Sequence, residues 1–308
     1  MCAIHSVAVV GAGAVGCYYG ARLAKGSEAE VSFLMRRDLE AVRKSGLHVL
    51  SIDGDFVLSP VQGYASAGEI GPVDLVIVAT KTTSNDALPK LIAPLLNEDT
   101  AILTLQNGLG NEEFLLSQFP SQPILGGLCH VCINRGEPGL IHHLAHGRIE
   151  MGEFTETNYG DRIHALFCQA GLETRLLDDL GLARWRKLVW NVPFNGLSIA
   201  EGKIDTQQIL SRQNHIERVR TLMHEVIEAA NALGFSIEPS FADANIEKTC
   251  EMGAYRPSSL IDFEEGREVE VEAIWGEPLR QAMAKGISMP ELSRLHEQIC
   301  RAVESRSC

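Results

Sequence analysis

Three polar residues recur at four-residue intervals in the segment RWRKLVWNVPFNGLS: Lys187, Asn191 and Asn195. At about 100° per residue, each step of four advances only about 40° around a helix, so the three side chains share one stripe. The intervening Leu188, Val189, Trp190 and Val192 are apolar, so the helix is expected to be largely buried, and buried polar groups need partners. A positioned ammonium in such a setting can stabilise negative charge developing on an oxygen and then donate a proton to it. The alternative is a stripe that faces solvent. Pro193 lies inside the stripe, removes one helix hydrogen bond and is expected to kink the chain between Asn191 and Asn195.

A second motif, Gly11-Ala12-Gly13-Ala14-Val15-Gly16, follows an apolar run and opens a helical pattern, the context in which G-x-G-x-x-G signals dinucleotide binding. The first glycine makes the tight turn, the second lets a pyrophosphate approach the backbone, and the third lets helix and strand pack closely. At the end of the second strand, where an NAD enzyme usually carries an Asp or Glu for the ribose 2′-hydroxyl, stand Arg36 and Arg37. Guanidinium groups pair with a 2′-phosphate through charge-assisted hydrogen bonds, so the expected cofactor is NADPH. Asp38 adjoins them, and a solvated loop charge is the alternative. Lys81 follows the apolar strand 73–80 at the carboxyl end, where ligands of open α/β sheets bind, and is a candidate for holding the cofactor or a substrate carboxylate.

These groups need elements to position them. The N-terminal half alternates short β-rich runs with helical patterns, which predicts a parallel sheet, and the almost continuously apolar strands 73–80 and 100–105 predict helices on both of its faces. From about Asp178 the periods lengthen to helical ones, notably 207–233 and 270–285, with a further helix announced by Gly286, Ser288 and Pro290. The expected fold is therefore α/β: a Rossmann-type, doubly wound N-terminal domain over 1–175 and an all-helical substrate and catalytic domain over 176–308, with a cleft at a tight junction. The amphipathic C-terminal helices leave both a monomer and a homodimer open.

Composition removes several function classes. The 308 residues carry a net charge of −13, which excludes a phosphate-backbone partner and so nucleic acid. No uncharged apolar run reaches the length of a membrane span, and the start, MCAIHSVAVVGAGAVG, passes straight into a Gly-rich turn instead of a basic head and cleavage site; a cytoplasmic location is expected. The eight cysteines are scattered, most within apolar stretches, and imply no disulfide framework. Cys129 and Cys132 form a C-x-x-C without a second pair and read as strand residues. His142, His143 and His146 fall in GLIHHLAHGRIEMGE, which reads as a hairpin without carboxylates at ligand spacing, so no metal is expected.

Five segments in order carry a more specific signal: GAGAVG at 11–16, LQNGLGNEE at 105–113, WRKLVWNVPFN at 185–195, PSSL at 257–260 and the Glu-Val-Glu-Val-Glu run before Ile274. Together they resemble the ketopantoate reductases over nearly the whole chain. The resemblance implies NADPH-dependent reduction of a small 2-keto acid, ketopantoate, to D-pantoate on the route to pantothenate and coenzyme A. It implies Lys187 as general acid and Asn191 and Asn195 as substrate ligands. It further assigns Asn107 to cofactor and substrate, Ser258 to the substrate carboxylate, and Glu270 to the substrate hydroxyl or the lysine, with a cofactor contact as well. Glu268 and Glu272 are rivals of Glu270 that periodicity does not separate. A carboxylate near Lys187 would favour its ammonium form. Two other readings remain: a related reductase of another branched 2-keto acid, and a non-catalytic NADPH-binding sensor.

Overall fold

The computed structural model describes residues 3–306. The chain forms two compact units, the first running to Gln106 and resuming over Asn111–Leu180, the second made of Asn107–Gly110 and the chain from Gly181 onward. The two units meet in sequence at 180/181, and a four-residue segment from the middle of the N-terminal half belongs with the helices.

The first unit is built on ten strands: β1 (Ser6–Val10), β2 (Glu30–Leu34), β3 (Leu47–Ser51), β4 (Phe56–Leu58), β5 (Gln62–Tyr64), β6 (Leu75–Val78), β7 (Ala101–Thr104), β8 (Ile124–Arg135), β9 (Leu140–Glu153) and β10 (Thr174–Leu176). Six of them pair in parallel in the order β5-β2-β1-β6-β7-β8, the 3-2-1-4-5-6 order of a Rossmann sheet. Alternate residues of the central strands enter two different cores. Val7, Val9, Leu75, Ile77 and Leu103 pack in one with Tyr19 and Leu23 of α1 (Ala14–Gly26), Val42 of α2 (Leu39–Ser45) and Phe167 of α6 (Tyr159–Gln169). Ala8, Val10, Val76, Val78 and Ile102 pack in the other with Ala67 of α3 (Ala67–Ile70), Leu88 of α4 (Leu88–Ile92) and Leu115 of α5 (Asn111–Gln118). Each such aliphatic side chain contributes about 1.5–3 kcal/mol by leaving water, and burial on both faces is why these strands read as continuous apolar runs.

The sheet departs from an all-parallel one beyond β8. Strand β9 pairs antiparallel with β8, β3 joins the far side of β9, and β4 pairs antiparallel with β3 at the edge. The segment 140–153 is therefore one arm of a hairpin. Its internal turn signal is absorbed as a bulge, with His146 at φ +64° and Gly147 at φ +128° where the register against β8 shifts. Cys129 and Cys132 lie in β8, and the six described cysteines are free thiols. Burial pushes the Cys17 thiol up to about 12, which makes it an apolar packing group.

The helical unit contains α7 (Leu180–Ala200), α8 (Thr206–Leu210), α9 (Gln213–Ala232), α10 (Ser240–Glu251), α11 (Ser258–Glu264), a π-type turn (Glu272–Gly276), α12 (Glu277–Ala284) and α13 (Pro290–Arg306). The expected 207–233 helix divides at residues 211–212, and 270–285 opens as the π-type turn. The fully buried Trp275 donates from Nε1 to the Val192 carbonyl at 3.0 Å. Gly196 permits that approach, since a Cβ there would meet Leu295 at 2.6 Å and Trp275 at 2.9 Å. Helix α7 continues through Pro193, so the proline does not end it. Among the described residues no helix is long and apolar enough to cross a membrane.

One carboxylate ties the start of β1 to the residue before β6. Asp74 accepts from the N–H groups of His5 at 2.7 Å and Ser6 at 2.9 Å. Partial burial works to raise its pKa, but these bonds and the Ser6 hydroxyl outweigh that and hold it below the usual value. A depressed folded-state pKa gives stability that is present above the unfolded value of about 3.9 and lost as pH falls through the folded one. Asp74→Asn should therefore melt several degrees below wild type at neutral pH, and thermal melts across a pH series should show the gap closing in acid.

Candidate active site

At the carboxyl end of β1 the chain turns through Gly11, at φ +102°, with Gly13 donating to the Gly11 carbonyl at 2.8 Å. The three glycines do different work. A Cβ on Gly11 would overlap the Ala79–Thr80 backbone just after β6, and one on Gly16 would overlap the Gly11 carbonyl. Gly13, the N-cap of α1, faces open space with nothing within 4 Å of a Cβ. Its smallness serves nothing inside the chain, which fits a turn kept bare for a phosphate at a helix N-terminus.

Neighbouring strand ends bring further groups to the same edge of the sheet. Arg36 and Arg37 follow β2 and are both exposed, whereas Asp38 is buried and its carboxylate is held by the Arg135 guanidinium of β8, with Nε at 3.0 Å. Asp38 is thus held against the sheet through one carboxylate oxygen, and the exposure of the two arginines fits both the 2′-phosphate reading and a solvated loop charge. Lys81 follows β6, half-buried, at the start of a 3-10 turn (Thr82–Ala87). After β7, Gln106 donates to Asn85 Oδ1 at 2.8 Å and to Thr80 Oγ at 3.3 Å, and Asn85 donates to Asn111 at 3.2 Å. This carboxamide network was not anticipated. Gln106 sits inside a motif that the sequence does single out, but Asn85 lies in a turn with no periodicity to mark it.

In the helical unit, Lys187 is half-buried on α7 and donates from Nζ to Asn107 Oδ1 at 3.1 Å. Asn191 and Asn195 follow it one and two turns later and are 8% and 2% exposed, so the stripe faces protein, not solvent. Asn195 Oδ1 accepts from the Ser259 N–H at 3.0 Å. That bond ties α7 to the first turn of α11, whose first residue, the exposed Ser258, keeps its hydroxyl at the surface of the unit. Of the three acidic rivals, Glu268 is exposed, Glu272 has an 84% exposed side chain beside His296, and Glu270 is 5% exposed. Burial separates the three where periodicity did not. Among the described residues no group of three His, Cys, Asp or Glu side chains could hold a metal ion.

Residues 7–156 match the family model described as Ketopantoate reductase PanE/ApbA, and residues 179–303 match its C-terminal counterpart. The chain is similar to a 2-dehydropantoate 2-reductase of Nostoc sp., at 42% identity over 95% of this chain and 93% of that protein. Among solved structures it is similar to a 2-dehydropantoate 2-reductase from Geobacter metallireducens, with a TM-score of 0.92 and 48% identity over 96% of this chain and 99% of that one. Another such enzyme, from Methylococcus capsulatus, superposes with a TM-score of 0.91 at 31% identity, covering 98% of both chains.

The glycine turn yields a stability prediction. Gly11→Ala and Gly16→Ala should each cost about 1–3 kcal/mol through backbone overlap, whereas Gly13→Ala should leave the chemical denaturation midpoint close to wild type.

Proposed function

This chain belongs to the ketopantoate reductase family, and from that premise we propose that it reduces 2-dehydropantoate (ketopantoate) to D-pantoate with NADPH, a step toward pantothenate and coenzyme A. The observation that supports the reading most is the hydrogen bond from Lys187 Nζ to the Asn107 carboxamide. It gives a half-buried ammonium a neutral acceptor that orients it without discharging it. The cofactor, when bound, supplies the electron pair and hydrogen that the ketone carbon gains.

In this reading Lys187 is the general acid. Its ammonium stabilises the charge that grows on the carbonyl oxygen and passes that oxygen a proton. Glu270, buried in the same unit, supplies negative charge that favours the ammonium form. Asn191, Asn195 and Ser258 offer carboxamide and hydroxyl groups to the hydroxyl and carboxylate of the substrate. The turn from Gly11 through Ala12, Gly13, Ala14 and Val15 to Gly16 holds the pyrophosphate, and Arg36 pairs with the 2′-phosphate, with Arg37 beside it. Lys81, Asn107 and Glu270 complete the cofactor contacts. The exposure of both arginines, with Asp38 held by Arg135, supports NADPH over NADH.

The test is NADPH oxidation with ketopantoate against a panel of 2-keto acids. Ketopantoate should have the highest kcat/KM, and Lys187→Ala should lose at least about a hundredfold, on the order of 3 kcal/mol of transition-state stabilisation. Arg36→Ala should weaken NADPH binding by about tenfold, or 1.4 kcal/mol, while barely changing NADH binding. Gly13→Ala should weaken binding of both dinucleotides without loss of fold. A different preferred keto acid with an inactive Lys187→Ala would keep the mechanism and replace the substrate; tight NADPH binding without reduction of any keto acid would favour the sensor.

A further inference from the structure

The segment Asn107–Gly110 is fastened to the helical unit by its backbone. Leu109 donates its N–H to the Ala273 carbonyl at 2.9 Å, and its side chain is buried in the helical core. Gly108 has φ +82°, and a Cβ there would overlap the Ala273 carbonyl group, whose carbon would lie 2.5 Å away. Ala273 lies in the π-type turn Glu272–Gly276. In an α-helix its carbonyl would accept from the N–H of Glu277, but that N–H bonds Glu272 instead. The next donor in π-type spacing would be residue 278, which is proline and has none. The turn and Pro278 together leave the Ala273 carbonyl open, and Leu109 takes it.

We propose that Gly108 and Leu109 form a clip on the Ala273 carbonyl that presents the Asn107 carboxamide to the Lys187 ammonium, which makes Gly108 and Pro278 positioning residues for the proton donor. The role rests on the reading of Lys187 as the acid. Neither residue touches the reacting atoms; each acts through Asn107. Gly108 is the only residue type that both adopts the positive φ and leaves room for the carbonyl. Pro278 acts by withholding a competing donor.

The experiment is a mutant cycle on ketopantoate reduction with Asn107→Ala, Gly108→Ala and the double variant, together with Pro278→Ala in both backgrounds. Gly108→Ala should lower kcat by about tenfold or more with a much smaller change in KM, because a small displacement of an oriented group costs turnover. It should also move the alkaline limb of the kcat–pH profile to lower pH, since an ammonium that loses one of its acceptors gives up its proton more readily. In the Asn107→Ala background the same substitution should cost less than about twofold. Pro278→Ala should show the same pattern with smaller losses, and it serves if Gly108→Ala does not fold. Losses that add in full across the cycle would overturn the proposal. Hydrogen exchange of the Leu109 amide gives a readout independent of turnover: slow exchange in wild type is expected, and an unprotected amide would refute the clip. A protected amide in a protein that reduces no keto acid would sink the reading of Lys187 and the positioning role with it, leaving the clip as an anchor only.

Discussion

A cation carried on an apolar helix has to be met by acceptors. Lys187 stands between Trp185 and Leu188 on a helix whose following residues, Val189, Val192 and Phe194, are wholly buried, and an ammonium left there without partners would shed its proton. The acceptor it receives, Asn107, comes from eighty residues earlier in the chain. That requirement accounts for the most unexpected feature of the chain's organisation, the membership of Asn107–Gly110 in the helical unit. The positive φ of Gly108 and Gly110, the buried Leu109 and the irregular turn at 272–276 all serve to hold four residues of polar loop against a helical core.

The sheet solves a different problem, the assembly of the glycine turn, the arginines after β2 and Lys81 at one edge. The parallel order puts β6 beside β1, so the turn at Gly11 presses on the backbone that leads to Lys81, and β2 on the other side ends two residues before Arg36. This is the point where strand order reverses and where α/β sheets bind their ligands. The long strand β8 also reaches this edge. Arg135, at the far end of β8, takes the Asp38 carboxylate, and an acid that could have met a ribose hydroxyl becomes part of the sheet while the arginines before it stay exposed.

Asn195 shows how one stripe can divide its labour. Periodicity puts it in line with Lys187 and Asn191, yet its carboxamide oxygen is spent on the first turn of α11. The residue that opens that helix is Ser258, so the stripe both carries polar groups and fixes the helix that bears another. The continuity of α7 through Pro193 keeps the three residues on one face. A proline costs a helix about 3 kcal/mol or more when nothing compensates, and here the packing of Val192, Phe194 and Leu197 into the core favours the helical path.

Short-range regularities determined much of this protein from sequence alone. The period of four that aligns Lys187, Asn191 and Asn195, the strand–glycine–helix context of residues 11–16, the arginines after β2 and the unbroken apolar runs of β6 and β7 are local patterns. Each follows from the geometry of a helix, a turn or a strand without knowledge of what packs against it. Tertiary structure decided what depends on distant partners. The β3–β4 hairpin joins the sheet beside β9, Asp38 is withdrawn by Arg135, burial separates Glu270 from Glu268 and Glu272, and Asn107 reaches Lys187 because Ala273 has a carbonyl to spare. The physical reason is that burial and hydrogen-bond satisfaction are properties of a residue's surroundings, and those surroundings come from parts of the chain that no local period connects.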